Sequence, residues 1–344
     1  MNDLWRYLEK AQKPIVLYGM GNGADKIIKV LDERGIKISG VFASDGFVRP
    51  KTFHGFAVEH FADVKERLGD MIVLLCFGTH LPDVMENIKM VASKCELYAP
   101  DVPVCEDFLF DGQYFKENEQ NFAHTQNILA DDLSKKTYRN TIDFKLTGKL
   151  DYLFNCETSF DEPYGNFLKL DDNEIFIDLG AYRGDTVDDF IKRVGDYAKI
   201  YAVEPDGKTF NKLCEFAKGF ENIECINALI SDRCSTALFS SGAGRGSKTD
   251  KGGIETKTVT VDAILNGGAA TFIKMDVEGA EYDAIEGARN TILNCKPKMQ
   301  IAAYHKSGDL LEIPKRVLAI CPDYKVYMRH FPSLPAWDIN FYFV

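Results

Sequence analysis

The chain has 344 residues, of which 45% are hydrophobic and 27% are charged, and its formal net charge is −11. The length predicts two domains, and the composition is typical of a globular protein with a sizeable core. The acidic balance argues against a protein that binds nucleic acid or an anionic membrane, because such binders need a basic surface.

No apolar run approaches the ~18–20 residues of a membrane span, and the first residues do not resemble a signal peptide. The nine cysteines are scattered without a C-x-x-C pair. This spacing predicts neither a disulfide framework nor a zinc site, and we expect no metal. It also favours a reducing, cytoplasmic location.

The first hundred residues alternate apolar runs with an amphipathic pattern. Strands are predicted at PIVLYG, KISGVFASD, MIVLLCFGTH and CELYAP, and a glycine turn and helix at GMGNGADKIIKVLDERG. Strands that alternate with helices predict a parallel, doubly wound sheet. We therefore expect a Rossmann-like domain over residues 1–105.

Residues 106–172 are rich in polar side chains, with aromatic residues at helical spacing. This pattern predicts a helical bridge or lid whose aromatic side chains serve packing. A second strand and helix series fills residues 173–344, and it ends in YKVYMRHF and DINFYFV, which predict an antiparallel strand pair. The predicted fold is thus α/β, with two Rossmann-like domains.

The sequence IFIDLGAYRGDT carries the first functional motif. A buried strand ends at Asp178, the chain turns at Gly180, and Tyr182 and Gly184 precede a helix. The D-x-G-x-x-x-G spacing is wider than the dinucleotide pattern G-x-G-x-x-G, which indicates a ligand that needs less phosphate binding. A tight turn with nothing bound is the structural alternative.

Acidic residues follow two later strands. Glu204 ends the strand YAVEP about 20 residues after Gly184, where a carboxylate is placed to accept the hydroxyl groups of a ribose. Asp276 ends the strand TFIKM, and Glu278 and Glu281 lie at the start of the next helix. Because ligands bind outside the carboxyl ends of parallel strands, Asp276 and Glu278 are expected to face a crevice. Glu281 is expected mainly to stabilise the helix, because a negative charge at a helix N-terminus interacts favourably with the helix dipole.

FIDLGAYRGDT, YAVEP, NALISD, TVTVDAIL and IKMDVEGAEYDAIEGA, in this order, resemble the FkbM-type methyltransferases over roughly residues 164–331. The resemblance implies a class I methyltransferase sheet, S-adenosylmethionine as cofactor, and a hydroxyl of a sugar, glycan precursor or natural product as acceptor. The resemblance implies that the methionine moiety of the cofactor is lined by Asp178, Gly180, Tyr182 and Gly184. It implies that Glu204 binds the ribose and that Asn227 and Ala228 lie beside the adenine. Asp276 and Glu278 would face the reaction centre.

Methyl transfer to an alcohol needs a base within hydrogen-bond reach of the hydroxyl. The candidates are Asp276, Glu278 and His305, which follows the strand MQIAAY at the same sheet edge. The working hypothesis is that His305 or Asp276 is this base. The segment SSGAGRGSKTDKGG, with Arg245, Lys248 and Lys251, is either a mobile cover for an anionic substrate or a solvated loop.

A different function is suggested by GMGNGA. Gly19, Gly21 and Ala24 match G-x-G-x-x-A, and Asp45 follows 21 residues later, as in dinucleotide-binding domains. The alternatives are therefore an NAD(P)-dependent oxidoreductase or epimerase, or a non-catalytic nucleotide-binding module. Within a methyltransferase, this domain is expected to bind a nucleotide-sugar, to position a small-molecule or carbohydrate acceptor, or to form a homodimer.

Overall fold

The computed structural model describes residues 3–48, 51–105, 107–239 and 254–344. They form two large sheets rich in parallel strands, one small sheet, and helices that pack on them. The nine cysteines are all free thiols, and no helix in these ranges is long and apolar enough to cross a membrane. The segment with Arg245, Lys248 and Lys251 lies outside the described residues.

The N-terminal sheet has the order β3-β4-β2-β1-β5-β6 and is parallel except for β3. Its strands are β1 (Ile15–Tyr18), β2 (Gly40–Ala43), β3 (Thr52–Phe53), β4 (Phe56–His60), β5 (Ile72–Leu75) and β6 (Glu96–Tyr98). Its helices are α1 (Leu4–Leu8), α2 (Asn22–Glu33), α3 (Phe61–Leu68) and α4 (Pro82–Ala92). The four predicted strands correspond to β1, β2, β5 and β6. The β3–β4 hairpin was not predicted, because it is mostly exposed and has no apolar run.

The segment after β6 is helical, as the sequence predicted. It contains α5 (Gly112–Glu117), α6 (Glu119–Ile128), α7 (Asp132–Thr147) and α8 (Asp151–Phe154), followed by a π turn at Tyr164–Leu168. Asp131 caps α7 by accepting a hydrogen bond from the backbone N–H of Ser134. Phe122, Tyr138 and Phe144 are buried, so these aromatic side chains serve packing.

The remaining strands are β7 (Ile175–Leu179), β8 (Lys199–Val203), β9 (Ile223–Ile226), β10 (Leu229–Ile230), β11 (Ser235–Phe239), β12 (Ile254–Val259), β13 (Phe272–Met275), β14 (Lys298–Ala302), β15 (Val326–His330) and β16 (Ile339–Phe343). The helices are α9 (Asp185–Val194), α10 (Gly207–Ala217), α11 (Val261–Leu265), α12 (Glu281–Gly287), α13 (Arg289–Cys295) and α14 (Asp309–Ile320). The large sheet has the order β15-β16-β14-β13-β7-β8-β9, and β10, β12 and β11 form the small sheet.

In the large sheet only β16 runs antiparallel, to both β14 and β15, which confirms the predicted antiparallel pair. The apolar segment NIECINALIS divides at Asn227 into β9 and β10, which lie in different sheets. Because β7, β8, β13 and β14 are parallel, their carboxyl ends share one edge of the sheet. The candidate site residues lie at this edge.

Candidate cofactor and reaction site

The glycine turn after β7 contacts the turn after β13. Gly180 has φ +88°, and a Cβ added there would lie 2.0 Å from the carbonyl oxygen of Asp276. The N–H groups of Gly180 and Ala181 both donate to the carbonyl of Val203, at 3.0 Å. Gly180 therefore joins the tips of β7, β8 and β13, and only a residue without a side chain fits there.

A buried ion pair lies below this turn. Asp178 is completely buried, and its Oδ1 lies 3.4 Å from Nζ of Lys274 on β13. Burial raises the pKa of Asp178, and the ammonium group of Lys274 opposes that rise. Lys274 Nζ also lies 4.0 Å from Oδ2 of Asp276. The sequence analysis missed Lys274, although a lysine inside the apolar run FIKM was a signal of a charged partner.

Glu204 ties the tip of β8 to the glycine turn. Its Oε2 accepts a hydrogen bond from the N–H of Tyr182 at 3.0 Å, and its Oε1 accepts one from the N–H of Asp206 at 2.9 Å. Tyr182 has φ +48°, and its side chain is half exposed. Burial raises the pKa of Glu204 to about 7. The carboxylate is thus fixed at the edge of the crevice, where the sequence placed it.

The burial of Glu204 predicts a pH dependence of stability. The folded protein holds the Glu204 proton more tightly than the unfolded chain does, so this contribution is present below pH 4.5 and is lost as pH rises towards about 7. We expect the melting temperature of the ligand-free protein to fall, relative to that of Glu204→Gln, over this range. Circular dichroism melts of both proteins measure the difference. Glu215→Gln, at an exposed position on α10, is the control and is expected to follow the wild type. If the melting temperatures of Glu204→Gln and the wild type changed in parallel with pH, the prediction would be contradicted.

The other predicted cofactor residues lie close to the same edge. Asn227 Nδ2 donates to the carbonyls of Glu204 and Pro205, at 2.8 and 3.0 Å, so this side chain shapes the loop after β8. Ala228 is buried in the core. Gly184 is the N-cap residue of α9 and lies against the ring of Phe216.

Beyond β13 and β14 the chain assembles a histidine among three carboxylates. His305 Nδ1 lies 2.9 Å from Glu281 Oε1, and Nε2 lies 3.5 Å from Asp276 Oδ1 and 3.6 Å from Glu278 Oε2. His305 and Glu281 are fully buried, whereas the side chains of Asp276 and Glu278 are 33% and 35% exposed. Burial by itself lowers the pKa of His305, but the carboxylates, Glu281 foremost, outweigh it and raise the pKa to about 10.

Glu281 also shapes the turn that carries Glu278. Its Oε1 accepts hydrogen bonds from the N–H groups of Val277 and Gly279, at 3.0 and 3.4 Å, and it begins α12 as the sequence predicted. Glu278 has φ +52°, a conformation that costs a non-glycine residue about 1–3 kcal/mol and is often found at functional sites. Tyr304 donates from its hydroxyl to Asp276 Oδ1 at 3.1 Å.

The connection after β6 crosses this cluster. Cys105 Sγ donates to the carbonyl of Glu278 at 2.9 Å, and its N–H donates to the carbonyl of His305 at 3.0 Å. Ser307 Oγ donates to the carbonyl of Phe108 at 2.6 Å. No motif in the sequence pointed to Cys105, since its contacts are made with residues more than 150 positions away. The N-terminal part of the chain thus supports the reaction site.

The glycine turn of the N-terminal sheet is packed by aromatic side chains. A Cβ on Gly19 would lie 2.4 Å from Cδ1 of Phe77, and a Cβ on Gly78 would lie 1.8 Å from the ring of Trp337. The space that a side chain would need at Gly19 and Gly78 is therefore filled by the rings of Phe77 and Trp337. In a dinucleotide-binding domain the second glycine of the pattern admits the pyrophosphate; the second position here is Gly21, where an added Cβ would meet no atom within 4 Å.

A cavity of about 870 Å³ lies beside α14, between it and the helices α5 and α6. Its lining includes Phe108, Tyr114, Tyr282, Lys306 and Glu312. Lys306 directly follows His305, so one end of the cavity is adjacent to the carboxylate cluster. Aromatic rings beside polar groups are typical of small-molecule sites.

The seven-stranded order with one antiparallel strand is consistent with a Rossmann-like methyltransferase fold. The family model described as "Methyltransferase FkbM domain" matches residues 178–323. Residues 178–323 therefore match the FkbM methyltransferase family, as the resemblance implied, and this match supports a methyltransferase enzyme.

Among solved structures, the Methyltransferase FkbM from Methylobacillus flagellatus KT is similar over 96% of this chain and 90% of its own, with 22% identity and a TM-score of 0.76. Fibrillarin from Aeropyrum pernix, in complex with natively bound S-adenosyl-L-methionine, is similar over 51% of this chain and 67% of its own, with 13% identity and a TM-score of 0.34. No curated protein sequence matches the chain significantly.

Proposed function

We propose that the protein is an S-adenosylmethionine-dependent O-methyltransferase that acts on a hydroxyl of a sugar, a glycan precursor or a natural product. The main observation that supports this proposal is the position of three acidic residues at the tips of three adjacent strands. They are Asp178, Glu204 and Asp276, and the Gly180 turn lies between them. Parallel sheets bind their ligands at this edge. The FkbM domain supports the same proposal.

The residues present fit the cofactor. Asp178 Oδ2 is buried and has no hydrogen-bond partner among the described residues, which suits the ammonium group of a methionine moiety beside Gly180, Tyr182 and Gly184. Glu204 is positioned to accept hydrogen bonds from the ribose, and the main chain at Asn227 and Ala228 to border the adenine. These roles stay predictions.

The cofactor supplies a methyl group to the acceptor oxygen, so that a C–O bond forms, the S–CH₃ bond breaks and S-adenosylhomocysteine leaves. The protein must align the hydroxyl and take its proton. We assign the role of base, which takes the hydroxyl proton, to Glu278, a residue of the turn after β13 whose side chain is 35% exposed. His305 is fully buried behind it, so we assign His305 to positioning. Asp276 is held by Tyr304 and Lys274 and faces the reacting atoms.

We divide the chain into a scaffold domain over 1–105, a helical bridge over 106–172 and the methyltransferase domain over 173–344. The scaffold contributes Cys105 to the reaction site, and the Lys26 ammonium donates to the carbonyls of Pro103 and Val104 in the same connection. The cavity beside Lys306 is the proposed place for a small or carbohydrate acceptor. A homodimer through the scaffold and a cytoplasmic location stay predictions.

Ligand binding and turnover test this proposal together. S-adenosylhomocysteine at 100-fold its dissociation constant is expected to add ~2.7 kcal/mol to the free energy of unfolding, and NAD is expected to add nothing. Glu278→Gln is expected to keep this stabilisation but to lower transfer of a tritiated methyl group to hydroxylated acceptors by roughly 10²–10⁴-fold. Stabilisation by NAD alone would overturn the methyltransferase proposal, and full turnover of Glu278→Gln would remove Glu278 as the base.

A further inference from the structure

The cluster around His305 has the composition of a metal centre. Asp276, Glu281 and His305 each place one ligand atom within 4.8 Å of the other two. They come from the turn after β13, the first residue of α12 and the segment after β14. Three separate elements therefore converge on one small volume at the reaction edge of the sheet.

Three buried atoms of His305 and Glu281 form no hydrogen bond within the described residues. They are His305 Nδ1, His305 Nε2 and Glu281 Oε2, and both side chains are fully buried. Buried polar atoms are nearly always paired, and an exception needs an explanation such as an ion. Nε2 points between carboxylates, with Asp276 Oδ1 at 3.5 Å. Such an imidazole with carboxylate neighbours has the donor atoms of a cation site.

The charges of the cluster lead to the same conclusion. Three carboxylates surround one imidazole, so even a protonated ring leaves an excess of negative charge. The nearby ammonium of Lys274 lies 4.0 Å from Asp276 but is closer to Asp178, at 3.4 Å. Asp276 and Glu278 are one-third exposed, but Glu281 is fully buried, and buried negative charge is costly unless it is paired or coordinates a metal. A divalent cation would remove this cost.

We propose that Asp276, Glu281 and His305 bind a divalent transition-metal cation of the Mn²⁺ type beside the acceptor hydroxyl. A mixed set of carboxylates and one imidazole suits Mn²⁺ better than Ca²⁺, and it lacks the thiolates that select softer metals. The role of the cation rests on the proposed methyltransferase function: as a Lewis acid it promotes ionisation of the acceptor hydroxyl, whose proton passes to Glu278. The sequence analysis expected no metal, because Asp276, Glu281 and His305 follow none of the metal motifs considered.

Mn²⁺ binding tests the proposal without any methyl acceptor. After treatment with a chelator, the full-length protein is titrated with MnCl₂, and free Mn²⁺ is measured by electron paramagnetic resonance. We expect one site per chain, with affinity at least about tenfold weaker in His305→Gln and in Asp276→Asn. The matched control is His60→Gln, since His60 forms an exposed pair with Asp45 at 2.9 Å, and this variant is expected to bind Mn²⁺ like the wild type.

S-adenosylhomocysteine binding is measured on the same samples, so that the two proposals fail separately. Retained S-adenosylhomocysteine affinity in His305→Gln, and a cooperative thermal melt of Asp276→Asn, show that these variants fold. No Mn²⁺ binding by the wild type at millimolar concentration, or equal binding by these two variants, would overturn the metal centre while the methyltransferase proposal stands. Mn²⁺ binding at the cluster without any affinity for S-adenosylhomocysteine would support the site and overturn the function.

Discussion

Gly180→Ala is expected to abolish binding of S-adenosylhomocysteine, with a loss of at least a hundredfold in affinity (~2.7 kcal/mol). The new Cβ would lie 2.0 Å from the carbonyl oxygen of Asp276, so the turns after β7 and β13 must separate. The left-handed backbone at φ +88° adds roughly 1–2 kcal/mol for any residue with a side chain. One methyl group therefore disturbs both the cofactor turn and the reaction centre.

Gly195→Ala is the matched control for this substitution. Gly195 follows α9 with φ +84°, but a Cβ there meets no atom within 4 Å. This variant carries the conformational cost alone, and we expect it to lower the melting temperature while it binds S-adenosylhomocysteine normally. Calorimetric titration and thermal melts of the two variants separate the effects. Wild-type affinity in Gly180→Ala would show that the ligand does not use this turn.

Lys274→Met is expected to destabilise the protein by about 3–5 kcal/mol, because it leaves the buried carboxyl group of Asp178 without its counter-charge. Lys274 and Asp178 lie side by side on β13 and β7, with 3.4 Å between Nζ and Oδ1. The double variant Asp178→Asn, Lys274→Met removes both charges and is expected to recover a large part of the loss. Urea denaturation curves of the single and double variants measure this recovery.

Lys296→Met provides the comparison at the surface. Lys296 forms an exposed pair with Asp323, and such pairs contribute about 0–1 kcal/mol. If Lys274→Met were no more destabilising than Lys296→Met, the buried pair would not support the site. If the double variant were no more stable than Lys274→Met, the loss would come from packing and not from the unpaired charge.

The sequence predicted the sheet edge well because local patterns determine it. Apolar runs of four to five residues form β7, β8, β13 and β14, and an acidic residue or a glycine turn follows at each of the first three. Parallel strands then place Asp178, Glu204 and Asp276 at one edge, whatever the rest of the fold does. Their spacing along the chain was therefore enough to predict their proximity.

What the sequence missed depends on contacts between distant segments. The burial of His305 and the role of Glu281 arise only when α12, β14 and the connection at Cys105 pack together. In the sequence, Glu281 is an ordinary acid at a helix start, and this reading is correct but incomplete, since its carboxylate also lies 2.9 Å from His305. The pairing of Lys274 with Asp178 likewise joins residues 96 positions apart.

The N-terminal glycine pattern shows a different limit of sequence reasoning. Gly19 permits a close approach, but the sequence does not say what approaches. In the fold it is the ring of Phe77, a residue that follows β5 more than fifty positions later. Gly19 therefore serves internal packing, whereas an added Cβ at Gly21, the position that admits a pyrophosphate in dinucleotide-binding domains, would meet no atom within 4 Å. The oxidoreductase alternative thus stays a prediction.

A crystal structure of the protein with S-adenosylhomocysteine tests the central claim most directly. The account predicts one molecule per chain at the carboxyl edge of the large sheet, with its ribose hydroxyls on Glu204, its amino group towards Asp178 and its sulfur facing Asp276. Binding at the Gly19 turn of the N-terminal sheet, or at a place that contacts neither Glu204 nor the Gly180 turn, would contradict it.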